Sequence, residues 1–197
     1  LLGDKWVQNY GRDIDYLHFH NHLEVGFCYY GEGTVTFKED IPFDGNMFTV
    51  IPKNFPHTTT SAGDSVSYWE WLFIDADKFL REVYKDNPRM AQKVLDRVNR
   101  RAHFVRVQDK PQIGALVQQI IGCMRERKEF YLEEVKGLTL ALLLQVARWN
   151  REEAEKTEFE AGNSSLITPA IDYISECCDR PIKVEELAAM CHISETH

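Results

Sequence analysis

The sequence lacks the features of membrane proteins and disulfide-rich folds. No apolar run approaches the ~20 residues that span a bilayer, and no signal peptide is evident. The cysteines at positions 28, 123, 177, 178 and 191 are odd in number, and their spacing fits neither a zinc site nor a disulfide framework. We therefore expect a cytoplasmic protein with reduced thiols and no membrane partner.

Positive charge is also in deficit. The formal net charge is -8, so the chain as a whole repels nucleic acid and anionic membranes. Hydrophobic residues make up 44% and charged residues 27% of the 197, which is typical of a globular protein with a substantial core. The chain starts at Leu1 rather than Met and ends within a motif described below. We therefore expect a fragment of a longer protein.

Residues 1–75 are rich in β-branched and aromatic residues that alternate with turn signals. The pattern predicts strands over 6–10, 17–30, 34–38, 47–51, 57–61 and 67–74. Pro42 to Gly45 is predicted to break the strand pattern. Short strands with turns every ~8–12 residues indicate a sandwich or a barrel.

The pattern changes to helical at residue 75. We predict helices over 77–85 and 88–100 and a possible edge strand over 103–107. A long helix should start at 109–111 and carry apolar residues as far as 124, and a second long helix should run from about 131 to 151. Apolar residues at 3–4 spacing run along both long helices. Either these stripes pack on each other and on the barrel, or one of them is a dimer interface. The sequence leaves both interpretations open.

Residues 152–164 read as a solvated linker, and 165–197 as a second unit. Thr168 and Pro169 predict the start of a helix that continues to about residue 178. Residues 184–190 predict a short helix, followed by a tight connection at 191–193. Ser194 would then cap a further helix.

A row of histidines precedes the longest strand-like segment. On a strand, His18, His20, His22 and Glu24 would share one face. Burying so many polar groups together is costly unless they bind a ligand or each other. The row therefore predicts a pocket, and a one-residue bulge would exchange His22 for His18 in it.

The pattern His18-x-His20-x3-Glu24-x6-Gly31, followed by Gly45-x6-Pro52-x-Asn54-x2-His57, resembles the two motifs of the cupin superfamily. Asn54 stands where many cupins have glycine. The resemblance implies a small antiparallel β-barrel in which His18, His20, Glu24 and His57 would ligate any divalent metal. Our interpretation is a pocket for a small organic molecule without a cofactor. A metal site and a row that binds nothing are the alternatives.

A second aromatic strand completes the predicted pocket. Alternation places Trp69, Trp71 and Phe73 on one face of segment 67–74 and Glu70 on the other. Aromatic rings and a carboxylate near histidines suit a sugar-like or other polar molecule. We predict that Trp69 and Trp71 contact the ligand together with His18, His20, Glu24 and His57.

The C-terminal segment contains the pair Tyr173-Ile174, then Pro181, then a helix with Leu187-Ala188, and finally Ile193-Ser194. This order resembles the start of the DNA-binding domain of AraC/XylS-type regulators, with His192 where a turn glycine is usual. The resemblance implies that residues 194–197, namely Ser194, Glu195, Thr196 and His197, begin an incomplete recognition helix. Residues 164–197 carry six acids and two bases, so we expect DNA binding only in the full-length protein.

Together these motifs predict an α+β protein with a cupin-like antiparallel barrel (1–75), a helical subdomain (76–151), a linker (152–164) and a truncated helix-turn-helix (165–197). The predicted function is the ligand-sensing region of an AraC-type regulator, not an enzyme, that forms a homodimer through the 111–151 helices. A metal-dependent cupin enzyme, an isomerase or dioxygenase, is the alternative. A dimerisation module with a vestigial barrel is a third possibility. The effector, the target DNA and the sign of regulation stay open.

Overall fold

A computed structural model describes residues 6–12, 16–156, 169–171, 173–174, 177 and 181–194. The chain forms two compact units, Leu1–Lys156 and Thr157–His197. The first contains every described strand and the four longer helices. In the described part of the second unit, residues 169–171, 173–174 and 184–190 are helical. None of the helices in these ranges has the length and apolar character needed to cross a bilayer.

The strands of the first unit form two antiparallel sheets. A five-stranded sheet has the order β1-β7-β2-β5-β8, with β1 at Val7–Gln8, β2 at Leu23–Tyr30, β5 at Met47–Ile51, β7 at Ser67–Ile74 and β8 at His103–Arg106. A three-stranded sheet has the order β4-β3-β6, with β3 at Gly33–Thr36, β4 at Asp40–Phe43 and β6 at Thr58–Ser61. The α+β class is confirmed. A closed barrel is not shown, because the recorded ladders join these strands into two sheets.

Strand boundaries test the sequence patterns directly. β5 and β7 begin and end where predicted, and β8 is the predicted edge strand. β4 was not predicted, because Pro42 was taken as a break. It forms because β4 lies at the edge of its sheet and pairs only with β3, so the missing N–H of Pro42 removes no bond from a second neighbour.

The two faces of β2 enter two different cores. Leu23, Val25 and Phe27 pack against the helices in the larger core. Cys28, on the opposite face, packs with Trp69 in a smaller core on the other side of the large sheet. The smaller core also takes Val35 and Phe43 from the small sheet, so it lies between the two sheets. Because side chains alternate along a strand, one set of β2 residues packs between the two sheets and the other packs against the helices.

The helices of the first unit have clear start signals. α1 spans Ala76–Val83 and α2 spans Pro88–Val98, and the side chains of Asp75 and Asn87 accept backbone N–H bonds at their N-termini. A 3₁₀ turn at Val107–Asp109 precedes α3 at Pro111–Glu126. α4 spans Tyr131–Lys156 and so continues five residues into the predicted linker.

α3 and α4 pack on each other and on the large sheet. Ile113, Val117 and Ile121 of α3 are buried with Leu142, Leu143 and Val146 of α4. This packing accounts for most of the apolar stripe of α4. Leu140 and Leu144 remain half-buried and Leu132 is exposed, so some of its apolar surface is still available.

The second unit contains α5 at Val184–Met190, as predicted. Cys191 is buried after it, and His192 has a φ of 54°, in the left-handed region. A turn glycine would adopt this conformation at less cost, as the family pattern implied. The predicted linker segment 157–164, the cap Thr168 and the residues Glu195, Thr196 and His197 lie outside the described residues.

Candidate functional site

The histidine cluster joins two segments that are far apart in the sequence. His18 and His57 exchange backbone hydrogen bonds, His18 N to His57 O at 2.9 Å and His57 N to His18 O at 2.8 Å. A third bond runs from Asn54 N to His20 O at 2.7 Å. These bonds hold residues 18–20 beside residues 54–57, at the end of β2 that carries Glu24.

The predicted strand over 17–30 begins only at Leu23, so the four-residue polar row on one strand face was wrong. His18, His20 and Glu24 do converge, but the isolated bridge between His18 and His57 positions them, not a strand periodicity. His22 bonds to Asn21 at 2.5 Å and is not part of the cluster. The backbone before β2 leaves the ladder, so alternation does not apply there.

The four predicted polar residues form a compact set. The ligand nitrogens of His18, His20 and His57 all lie within 4.8 Å of one another. His20 Nε2 is 2.9 Å and His57 Nε2 is 3.4 Å from Glu24 Oε2. Glu24 and His57 are buried, whereas His18 and His20 are half-buried. The cluster therefore has a buried inner side, formed by Glu24 and His57, and a partly exposed side, formed by His18 and His20.

The charges in this set are mutually compensated. Burial alone would raise the pKa of Glu24, but hydrogen bonds from His20 and His57 lower it to about 2. Burial would lower the pKa of His57, yet its interactions with Glu24 raise it overall. Burial and the neighbouring imidazoles lower the pKa of His18. The site thus offers an ionised carboxylate beside a neutral imidazole at its half-buried edge.

The orientation of His57 bears on whether the set suits a metal. His57 Nδ1 lies 2.8 Å from the Phe55 carbonyl oxygen, which can only accept, so Nδ1 carries a hydrogen. Nε2 then faces Glu24 Oε2, and this contact is favourable only with a second proton on the ring or a cation between the groups. Three imidazoles and a carboxylate suit Fe(II), Mn(II), Ni(II) or Zn(II), and a carbonyl-oriented imidazole is common around such ions. The donor set therefore fits a divalent metal.

The two tryptophans lie on the predicted face of β7. Trp69 and Trp71 stack at 4.8 Å with an interplanar angle of 7°. Trp69 is fully buried, and its indole nitrogen has no hydrogen-bond partner among the residues that the structure describes. A Cβ on Gly26 would come within 2.3 Å of the Trp71 ring, so only glycine fits beneath it. Both rings are packing residues of the space between the sheets, and Trp71 is the more open of the two.

Phe73 connects the aromatic face to the cluster. Its ring meets the His20 ring edge-on at 4.9 Å, and half of the residue is exposed. Alternation placed Phe73 beside Trp71, but Phe73 was not among the predicted site residues.

Asn54 was also not among the predicted site residues. It is buried with a φ of 60°, and asparagine tolerates this left-handed conformation better than most residues, which explains why it can stand where many cupins have glycine.

Comparison with known proteins identifies the fold. No protein-family model matches the chain, and neither does any curated protein. ToxT from Vibrio cholerae O395 matches 92% of this chain, at 11% identity and a TM-score of 0.52. This chain covers 66% of that ToxT chain, which is less than two thirds of its length.

Two further structures complete the comparison. ToxT from the same strain bound to (E)-4-(8-methylnaphthalen-1-yl)but-3-enoic acid matches 92% of this chain and 68% of its own, at 10% identity and a TM-score of 0.51. The AraC-like transcriptional activator CuxR matches 90% of this chain and 59% of its own, at 14% identity and a TM-score of 0.45. The resemblance to AraC-type regulators drawn from the sequence is thus confirmed at the level of the fold, which this chain shares with ToxT.

Proposed function

We propose that this chain is the effector-sensing region of an AraC-type transcription regulator and is not an enzyme. The observation that carries the proposal is the convergence of His18, His20, His57 and Glu24 at one end of a fold shared with ToxT. One ToxT structure contains a small carboxylic acid, so a protein of this fold accommodates a small organic molecule. The cluster supplies polar groups that could orient such a molecule here.

The chemistry of the cluster favours a ligand with hydroxyl or amino donors. Glu24 is ionised and would repel a simple anion, whereas a hydroxyl group could donate to it. His18, as a neutral imidazole, offers both a donor and an acceptor. Phe73 and Trp71 add apolar surface beside these groups, and the Trp69 ring stacks against Trp71. A sugar-like molecule has this combination of hydroxyl groups and an apolar face.

Transcription control further requires DNA binding and a change of state. We propose that the complete protein binds DNA through residues that continue beyond Ser194, and that it forms a homodimer through the 111–151 helices. Leu132, Leu140 and Leu144 supply partly exposed apolar surface for such an interface. The effector would act by binding one functional state more tightly than the other.

A thermal-shift screen tests the sensing role. Sugars and small polar molecules are added to the chain and to two variants, Glu24→Gln and Glu70→Gln. Both carboxylates are buried on neighbouring strands, but Glu24 lies in the cluster and Glu70 bonds to Arg125 and Tyr29 on the helical side. An effector at 100 times its Kd should stabilise the chain by about 2.7 kcal/mol. The shift should persist in Glu70→Gln and vanish in Glu24→Gln, and equal shifts in both would contradict the proposal.

A second candidate is a metal-dependent role for the same residues, which the fit of the donor set to a divalent ion favours. His18, His20, His57 and Glu24 would hold the ion, which would supply Lewis-acid chemistry or a docking point for an effector. Inductively coupled plasma mass spectrometry on protein purified without chelator or nickel resin tests this. About one metal per chain, lost in His20→Ala, would support it. A chain without metal in that experiment would favour the organic-ligand site.

A further inference from the structure

A groove lies in the first unit, far in sequence from the histidine cluster. It has a volume of about 380 Å³ and lies where the start of α3 meets the last third of α4. Its lining includes Lys110, Gln112, Gln145, Arg148 and Trp149. Each of these side chains can donate a hydrogen bond, so the groove is rich in donors.

Trp149 is the buried anchor of the groove. It is only 6% exposed, its ring stacks on His103 at 3.6 Å, and the Lys110 ammonium lies 4.8 Å from its centre. Its indole nitrogen is not among the fully buried polar atoms that lack a partner in the part of the chain described, and the residue lines the groove. The indole N–H is a donor only, so a ligand in the groove would have to offer it an acceptor.

The first turn of α3 adds further donors. Pro111 has no N–H, and no acceptor in the described ranges meets the backbone N–H groups of Gln112 and Ile113. Lys110, the residue at the N-cap, has no side-chain acceptor with which to cap these groups. The positive end of a 16-residue helix therefore lies next to Lys110 and Arg148, neither of which has a salt-bridge partner in the part of the chain described.

The acids of the groove limit what it can bind. Asp109 and Glu152 also line it, so the two bases are offset by two acids. A dianion such as phosphate would meet both carboxylates. A molecule that carries one carboxylate and one ammonium group would instead find a partner for each charge. The volume lies within the range typical of small-molecule pockets.

We propose that this groove binds a small zwitterionic carboxylate, of the size and chemistry of a free amino acid. The carboxylate is held by Arg148, Lys110, the Trp149 indole N–H and the start of α3. The ammonium group is held by Glu152 and Asp109. This site is separate from the histidine cluster, and the proposal does not depend on the proposed sensing role.

The Trp149 indole N–H provides a direct readout by ¹H–¹⁵N correlation spectroscopy, with Trp149→Phe to assign its signal. The standard amino acids are titrated in pools at constant ionic strength, alongside acetate and inorganic phosphate. At least one amino acid should give a saturable shift of this signal. Arg148→Gln should weaken the binding about tenfold, as expected for the loss of one charge-assisted contact. The matched control Lys136→Gln, an exposed site elsewhere on α4, should leave it unchanged.

Glu152→Gln separates the zwitterion from a simple anion. It should weaken the amino acid several-fold, because its ammonium group loses a partner, whereas acetate has no ammonium group and should bind as tightly as before or more tightly. The proposal is overturned if no amino acid produces a saturable shift, or if the affinity is equal in the parent chain and Arg148→Gln. Phosphate or acetate binding as tightly as every amino acid would also overturn it. Both substituted residues are at the surface, and circular dichroism confirms that each variant is folded.

Discussion

Gly26→Ala should destabilise the first unit by overpacking the space between the two sheets. The new Cβ would lie 2.3 and 2.5 Å from two atoms of the Trp71 ring and 2.8 Å from Thr49 Oγ1. Trp71 cannot retreat freely, because Trp69 stacks against it at 4.8 Å and is itself fully buried. Overpacking of a filled core typically costs 1–3 kcal/mol, and the closeness of these contacts favours a loss of about 3 kcal/mol.

Urea denaturation followed by tryptophan fluorescence measures this loss. All four tryptophans of the chain lie in the first unit, at positions 6, 69, 71 and 149, so the signal reports that unit alone. Gly122→Ala is the matched control. It lies within α3 with no atom near its added Cβ, and should stabilise the unit by roughly 0.5–1 kcal/mol.

The double variant Gly26→Ala with Trp71→Leu tests the cause. Removing the ring should relieve the clash, so the double variant should lose less free energy of unfolding than the two single losses added together. The reasoning is refuted if Gly26→Ala is as stable as the parent chain. It is also refuted if the loss is simply additive with that of Trp71→Leu, because the ring would then not be the obstacle.

Of three further predictions, two are read by urea denaturation and one by hydrogen exchange. Burial lowers the pKa of His103 to about 4, so the unfolded chain takes up a proton first as the pH falls below 6.5. The linked loss of ~3 kcal/mol by about pH 4 should be absent in His103→Phe, and a parallel pH dependence in the two chains would contradict it. Glu70→Gln should cost about 2 kcal/mol, because the buried carboxylate accepts from both Arg125 and Tyr29; a loss under 0.5 kcal/mol would show that the bonds are not needed. His192→Gly should protect the amides of α5 from hydrogen exchange by roughly 1 kcal/mol, and faster exchange would rule out backbone strain at its φ of 54°.

Much of the fold was predictable because it depends on local patterns. β5 and β7 are rich in β-branched and aromatic residues and lie between turn residues, so their ends were placed correctly. α5 likewise matched its predicted bounds. β4 was missed because local rules treat Pro42 as a breaker, whereas an edge position makes the proline harmless. Whether the two sheets close into a barrel depends on long-range pairing, which a local pattern does not encode.

The sequence by itself determined which residue types could form the site and in which order they occur. Strand alternation singled out His18, His20 and Glu24 together with His22, and the resemblance to the cupin motifs added His57. Alternation also correctly separated Trp71 from Glu70 on β7. Only the tertiary structure decided how these residues meet. Three features depend on pairing between distant segments: the two backbone hydrogen bonds between His18 and His57, the position of His22 outside the histidine cluster, and the contact of Phe73 with His20. Such pairing is fixed by the packing of the whole chain, which a local sequence pattern does not encode.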